Sequence, residues 1–459
     1  LTFAIPDHPW VDAGDGAAVR IAMTVAAPGE QEGVLKRVVS ESVTGQDSYE
    51  VTLLECVGKL QPDLTIGANV VGAQPLRANE NLSNRGVQLF GSGFIVAPQE
   101  AAQLGLGSVR GLEQHIREYR NGRDLTSTPR GVMVIDLYGL QANEARSRFP
   151  AVYQWVAERV KPERENWWLF GETNPKLRNQ LEGLGRYIAT VATAKHRFFL
   201  FLDEVVLPDD ALINIALNDA YYLGVLSCRV HVVWALAAGG TLEDRPRYNN
   251  SRCFDTFPFP DPIPEQRQSI RELGEALDAH RKRQQEQHPG LTITGMYNVL
   301  ETLRAGETLD EDEREIHQQG LVSILKELHD DLDRAVLEAY GWPPTLSDED
   351  ILGRLVELNA VRAAEEAQGM VRWLRPEYQD PDERARAASL GLQMPAVSPT
   401  KVVKQVWPSS LAGQAQSVRS AVTTLNQPMS AAEIARSFTG ARAERVRELL
   451  ESLAALGQV

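Results

Sequence analysis

The segment Phe257-Pro-Phe-Pro-Asp-Pro-Ile-Pro264 constrains this chain more than any other, because every second residue is a proline. Proline fixes φ and lacks a backbone donor, so neither a helix nor a central strand can run through it. The pattern changes there. Before it, strand-like runs at 132–137 and 198–202 alternate with helical stretches at 143–159 and 212–226. After it, helical periodicity dominates over 265–287, 292–305, 312–340 and 347–368. Gly341-Trp-Pro-Pro344 is placed to stop the third of these helices and Ser347 to cap the fourth. They are expected to pack antiparallel.

Residues 1–5 and 17–25 read as apolar strands joined by a turn-rich segment, and the chain opens in mid-strand on Leu1. The expectation is that these strands complete a sheet of a preceding domain. Residues 31–90 alternate polar and β-branched positions, as in Tyr49-Glu-Val-Thr-Leu-Leu54, and predict short strands and a linker. At the other end, a Pro- and Ser-containing linker at about 380–410 leads to a tail. There Ser430-Ala-Ala-Glu433 has the form of a capping box, 431–438 a short helix, Thr439-Gly440 a turn, and 442–456 a second helix with apolar Val446, Leu449, Leu450 and Leu453. This is helix-turn-helix spacing, leading toward a winged variant. Arg442, Arg445 and Arg447 on its second helix invite an anion, whereas Glu444, Glu448 and Glu451 repel one, so a protein-interaction role suits the tail equally.

A chain of 459 residues exceeds what one core can hold. The expected fold class is α+β. Residues 1–60 would be C-terminal strands of a larger fold plus linker, 61–262 a mixed α/β domain, 263–380 a helical spacer bundle, and 400–459 the helix-turn-helix, winged-helix-like tail. No apolar run reaches the roughly 18 residues that span a bilayer. The stretch 225–238 is interrupted by Arg229 and His231. Cys56, Cys228 and Cys253 are scattered, with neither a disulfide framework nor metal-ligand spacing. A reducing, cytoplasmic protein without a membrane or metal partner is predicted. The net charge of −15 argues against a polyanion partner at first sight, but 161–252 interleaves Lys and Arg with Trp, Tyr and Phe, which leaves room for a local basic face.

A set of uncommon combinations occurs in one order. Phe3-Ala-Ile-Pro-Asp-His-Pro-Trp-Val11 and Ala17-Ala-Val-Arg-Ile-Ala-Met23 look like the last strands of an amino-methyltransferase domain. Next come Tyr119-Arg-Asn-Gly-Arg-Asp-Leu125, Val134-Ile-Asp-Leu-Tyr-Gly139, Trp167-Trp-Leu-Phe-Gly-Glu172, Arg186-Tyr-Ile-Ala-Thr190 and Lys195-His-Arg197. Leu223-Gly-Val-Leu-Ser227, Arg245-Pro-Arg-Tyr-Asn249 and Cys253-Phe-Asp-Thr-Phe-Pro-Phe-Pro260 follow. Together they resemble the target recognition domain of the MmeI-like (type IIL) restriction–modification family, and the helices through Arg372-Trp-Leu-Arg-Pro-Glu-Tyr378 are similar to its C-terminal helical region.

The resemblance implies a parent enzyme that transfers a methyl group from S-adenosylmethionine to the exocyclic amine of adenine within a short asymmetric DNA site. Its implied partners are double-stranded DNA, a methyltransferase core and, in combined enzymes, a nuclease domain further upstream. Methyl transfer in that family needs a Gly-containing cofactor loop and an Asn-Pro-Pro-aromatic motif that grips a flipped base. Phe90-Gly-Ser-Gly-Phe94 lacks the strand-then-acid context, Asn174-Pro175 is followed by Lys176 instead of a second proline, and Trp342-Pro-Pro344 lacks the Asn. No catalytic or cofactor-binding residue is therefore expected in this chain. A stand-alone specificity subunit resembling those of type I restriction systems has the same layout of recognition domain and spacer helices.

Base edges are read by Arg or Lys at guanine, Asn or Gln at adenine, and Asp or Glu at cytosine. Two loops are dense in such residues. The first carries Lys195, His196 and Arg197 between apolar segments. The second, 242–252, carries Glu243, Arg245, Arg247, Tyr248, Asn249 and Arg252, with Pro246 stiffening its middle. Family likeness favours Glu243, Arg245 and Arg247 for base edges, while Lys195, Arg197 and Arg252 suit phosphates equally. Arg120 and Arg123, in a third charged turn with Asn121 and Asp124, suit phosphate contact or a structural Arg–Asp pair. His196 and His231 are expected to be hydrogen-bonded structural residues, and Trp167-Trp168 to close a core.

Overall fold

Alternating apolar and polar positions are the signature of a strand with one covered face. The computed structural model has such strands among the described residues of the first sixty. It describes residues 1–10, 19–29, 31–43, 49–61, 64–160, 165–242 and 245–380, and in the tail 405–407, 414, 438–439, 444–447 and 449. Strands β1 (Phe3–Trp10), β2 (Val19–Val25), β3 (Gly33–Val43) and β4 (Tyr49–Gly58) form one sheet in the order β2-β1-β3-β4. β1 runs parallel to β3, and the outer pairs are antiparallel. Its buried core is small, made of Ala4, Leu35 and Leu60, while Val25, Val39, Leu54 and Val57 stay exposed.

Residues 64–260 build two further sheets. Strands β5 (Ser83–Arg85), β6 (Ile95–Val96), β7 (Ile116–Arg120), β8 (Met133–Ile135), β9 (Arg186–Val191), β10 (Leu200–Asp203), β11 (Val206–Pro208) and β12 (Leu212–Ile215) pair in the orders β10-β9-β12-β5 and β11-β7-β8-β6. Helices α1 (Pro98–Gln103), α2 (Gly122–Thr126), α3 (Ala142–Arg148), α4 (Pro150–Arg159) and α5 (Pro175–Leu181) connect them. A core containing Phe94, Ile116, Val134, Val152 and Phe170 belongs to the β7-containing sheet. Trp167 and Trp168 pack against it, and the Trp168 indole N–H donates to Leu140 O at 3.1 Å. Then follow α6 (Ala220–Ser227), α7 (Arg229–Gly239), the short hairpin β13 (Thr241–Leu242) and β14 (Arg245–Pro246), and α8 (Asn250–Cys253). No single helix among the described residues is long and apolar enough to cross a membrane.

Beyond the prolines lie α9 (Pro264–Gln287), α10 (Ile293–Ala305), α11 (Glu311–Gly320), α12 (Val322–Ala339) and α13 (Asp348–Ala367). The predicted cap is in place, Ser347 Oγ accepting from Asp350 N at 3.1 Å, and Thr292 Oγ1 caps α10 in the same way, accepting from Gly295 N at 2.9 Å. Three predicted elements are each two. The stretch 143–159 breaks at Phe149-Pro150, where proline takes the first position of α4. The stretch 212–226 is strand β12 followed by α6: Leu212-Ile-Asn-Ile215 is too short to show a helical period, and Asp219 caps the helix through Tyr221 N. The stretch 312–340 breaks at Leu321, whose φ is +44°.

The fold class is α+β. The hydrophobic core is continuous across the prolines: Ile188, Leu212, Leu223 and Phe257 share one cluster with Leu277, Met296, Leu332 and Leu355. All of this lies in one compact unit, Leu1–Gln379, and Asp380–Val459 is a second. In the second, Gln405–Val406 pairs parallel with Phe438–Thr439, 444–447 is helical, and Val446 and Leu449 are buried. The 430–433 capping box, Arg442, Leu450 and Leu453 lie outside the described residues.

Candidate nucleic-acid interface

Five of the six residues of β9 are buried, so the sheet fixes where the charged loop after it emerges. That loop lies beside the β13–β14 hairpin. Ala194 N donates to Pro246 O at 3.3 Å and Tyr248 N to Ala192 O at 2.7 Å, and Thr193 forms an antiparallel bridge with Arg247. The third charged turn approaches from β7. Asn121 caps α2, accepting from Arg123 N at 3.0 Å and Asp124 N at 3.1 Å. Burial works to raise the Asp124 carboxyl, but the Arg130 guanidinium at 2.7 Å and nearby backbone donors hold it below its ordinary value. Gly122 lets this turn close on the sheet, since a Cβ there would stand 3.0 Å from Val191 Cγ1.

These pieces surround an open cleft of about 750 Å³, lined by Asn121, Arg123, Lys195, Asp209, Arg245 and Thr294 among others. Three loops far apart in sequence thus meet at one opening, and Arg123, Lys195 and Arg245 are exposed there. Its electrostatics are mixed. Asp209 accepts hydrogen bonds from the Tyr119 hydroxyl and from Ala211 N at 3.0 Å. Burial and this carboxylate push the Tyr119 hydroxyl well above its ordinary range, so it stays a donor. Helix α10 also reaches the site: Lys195 Nζ lies 2.7 Å from Asn298 Oδ1 and 3.6 Å from the Glu301 carboxylate.

Not every residue expected to meet a ligand is free to do so. His196 is buried, with Nε2 at 2.7 Å from Asn298 Oδ1 and Nδ1 at 3.1 Å from Glu301. Arg197 is buried, with its guanidinium donating to Thr190 Oγ1 at 3.0 Å, to Val191 O, and to Pro246 O at 3.2 Å. Tyr248 is buried, its hydroxyl 3.0 Å from Nε2 of His231, which burial holds neutral with a pKa of about 3. Asn249 is spent on capping α8, accepting from Ser251 N at 3.2 Å and Ser251 Oγ at 2.9 Å. Arg120 is half-buried and paired with Glu118. A side chain held inside by such contacts positions the loop; it cannot at the same time extend to a base. Arg247 and Arg252 are exposed but not among the residues lining the cleft. Glu243 lies outside the described residues.

Asp209, Thr294 and Asn298 were not singled out by the sequence. Asp209 stands in a β-turn and the other two on an amphipathic helix, positions whose relation to the charged loops exists only in three dimensions.

Two of the three near-matches to methyl-transfer motifs have groups engaged by the fold. The Asn174 side chain accepts from Leu177 N at 3.0 Å and donates to Arg85 O at 2.7 Å, so both its ends are occupied by the fold. In Phe90-Gly-Ser-Gly-Phe94, a Cβ at Gly93 would stand 2.7 Å from Arg159 O, so α4 and not open space adjoins that glycine.

Residues 168–261 match the family model described as MmeI, target recognition domain. The resemblance drawn from the ordered motifs holds in this stretch. DNA methyltransferase A of Bacillus subtilis (strain 168) is 30% identical over 141 residues, covering 30% of this chain and 13% of that protein. A solved structure of the type IIL restriction-modification enzyme MmeI in complex with DNA matches with a TM-score of 0.56 at 20% sequence identity, covering 79% of this chain and 46% of that one. That is a likeness of fold. The chain spans less than half the length of either relative.

Proposed function

We propose that this chain is the DNA-sequence-recognition region of an adenine-specific, S-adenosylmethionine-dependent DNA methyltransferase of the restriction–modification type. The observation that carries the proposal is the convergence of Arg123, Lys195 and Arg245 on one cleft, two of them within the stretch that matches a target recognition domain. Cationic side chains around an opening bind phosphates, and those that reach a groove discriminate bases. Arg245, exposed at the start of β14, is assigned to a base edge, as is Glu243; Lys195 and Arg123 are assigned to phosphates. Methyl transfer and any strand cleavage belong to other parts of the parent enzyme, where S-adenosylmethionine supplies the methyl group.

The test is selection by the purified chain from a duplex pool randomised over a central stretch, at moderate salt. Enrichment of one short asymmetric motif, with affinity falling steeply as salt rises, is expected. Recovery of a pool with no shared motif would refute the proposal.

A further inference from the structure

The β13–β14 hairpin that carries Arg245 has only two residue pairs, Thr241↔Pro246 and Leu242↔Arg245. An isolated two-stranded ribbon is marginal in water. What holds this one is the neighbouring loop, through backbone contacts of Ala192, Thr193 and Ala194 and through the side chain of Arg197. Pro246 O accepts from both Ala194 N and Arg197 Nη2, while the other amino group of Arg197 is anchored to Thr190 and Val191 at the end of β9. The guanidinium also lies over the Tyr248 ring, 5.1 Å from its centroid, and Tyr248 is fixed by His231 beneath. A planar fork donates from two separated nitrogens and so holds acceptors on two strands in a fixed geometry, whereas an ammonium donates from one atom.

We propose that Arg197 is a positioning residue for DNA reading: a buried guanidinium that staples the Arg245 hairpin to the sheet, and so fixes the spacing between Arg245 and the neighbouring Lys195. This rests on the reading of the cleft given above. A purely fold-stabilising role for Arg197 makes a different prediction, because stability and loop order can be measured apart from DNA. Burial pulls Arg197 down to about 10, which still leaves it charged at neutral pH. The carbonyl and hydroxyl contacts of a charged guanidinium are the strong kind.

The experiment compares the full chain with Arg197→Lys in two arms. In the first, without DNA, amide hydrogen exchange is followed over 192–199 and 240–250. The proposal expects exchange in both segments to quicken by about tenfold or more, with β9, α9 and the melting temperature near those of the parent. Exchange unchanged in the hairpin overturns it, as does quickening spread evenly over the molecule. In the second arm, the duplex motif selected by the parent chain is compared with a scrambled duplex. Arg197→Lys is expected to lose about tenfold of the discrimination while keeping its affinity for the scrambled duplex. Equal loss on both duplexes overturns the positioning role. Quickened exchange confined to the two segments, in a parent chain that selects no motif, supports the staple and refutes the DNA reading. Thr190→Val, which removes one side-chain acceptor and leaves Pro246 O in place, should give a smaller change of the same kind, and the parent profile in that variant together with an unfolded Arg197→Lys overturns the proposal.

Discussion

Neighbouring residues in one loop have opposite fates: Lys195 is exposed, while His196 and Arg197 are buried. The sequence marks all three as candidate contacts, since charge and loop position are local properties. Which of them faces out depends on acceptors supplied from elsewhere, Asn298 for His196 and Pro246 O for Arg197. The same logic separates Arg245 from Lys195 and yields two predictions. Arg245→Ala should cost about 1–3 kcal/mol at one base pair of the selected motif and relax the preference there. Lys195→Ala should weaken binding about evenly across sequences and reduce the salt slope by about 1. Titrations of the motif and its single-base variants at several salt concentrations distinguish them. If Arg245→Ala lowers all affinities by one factor, that arginine is a phosphate anchor and the specificity assignment is wrong.

At the scale of elements, the Ser347 cap and the proline run were legible because they act on their own few neighbours; Ser347 and Pro264 stand at the ends of α13 and α9. The strand β12 was not, since Leu212-Ile-Asn-Ile215, four buried residues of which three are apolar, is too short to distinguish a strand from a helix. Nor was the crossing of α6 and α9 legible, because it depends on two glycines fifty positions apart. A Cβ on Gly274 would stand 2.3 Å from Ala220 O, and one on Gly224 would stand 2.8 Å from Ile270 Cγ2. A backbone oxygen cannot turn aside as a side chain can. Overpacking of this kind costs about 1–3 kcal/mol and more where backbone must move, which exceeds the ~1 kcal/mol that alanine gains over glycine in a helix. Gly274→Ala is therefore expected to lower stability by denaturant unfolding despite its better helix propensity. A variant as stable as the parent or more so would show that the two helices do not approach this closely.

Taken whole, Leu1–Gln379 ties the recognition segment to the helices through one core, so the proline run divides the chain's path without dividing its packing. A chain cut at residue 262 would expose the face of α6 that α9 and α12 now pack against, and is expected to be recovered unfolded or aggregated. A soluble fragment with cooperative unfolding would contradict this. The same core sets a pH dependence. Burial holds His231 and His329 neutral with pKa values of about 3, below the ~6.5 of an exposed imidazole, so between those values the unfolded chain binds more protons and stability falls as pH falls. Burial raises Asp255 and Asp333 to about 6, above the ~3.9 of an exposed carboxyl, so between about pH 4 and 6 the folded state binds more protons and stability rises as pH falls. Over that window the two pairs oppose each other. Asp333→Asn keeps an oxygen to accept from Arg229 N, as Asp333 does at 2.6 Å, but removes one of the opposing titrations. Relative to the parent, the variant should lose about 1.4 kcal/mol of stability per pH unit on going from pH 6 to 4. Urea unfolding at several pH values measures the difference, and parallel profiles for the two proteins would mean that Asp333 is ionised in the folded state throughout.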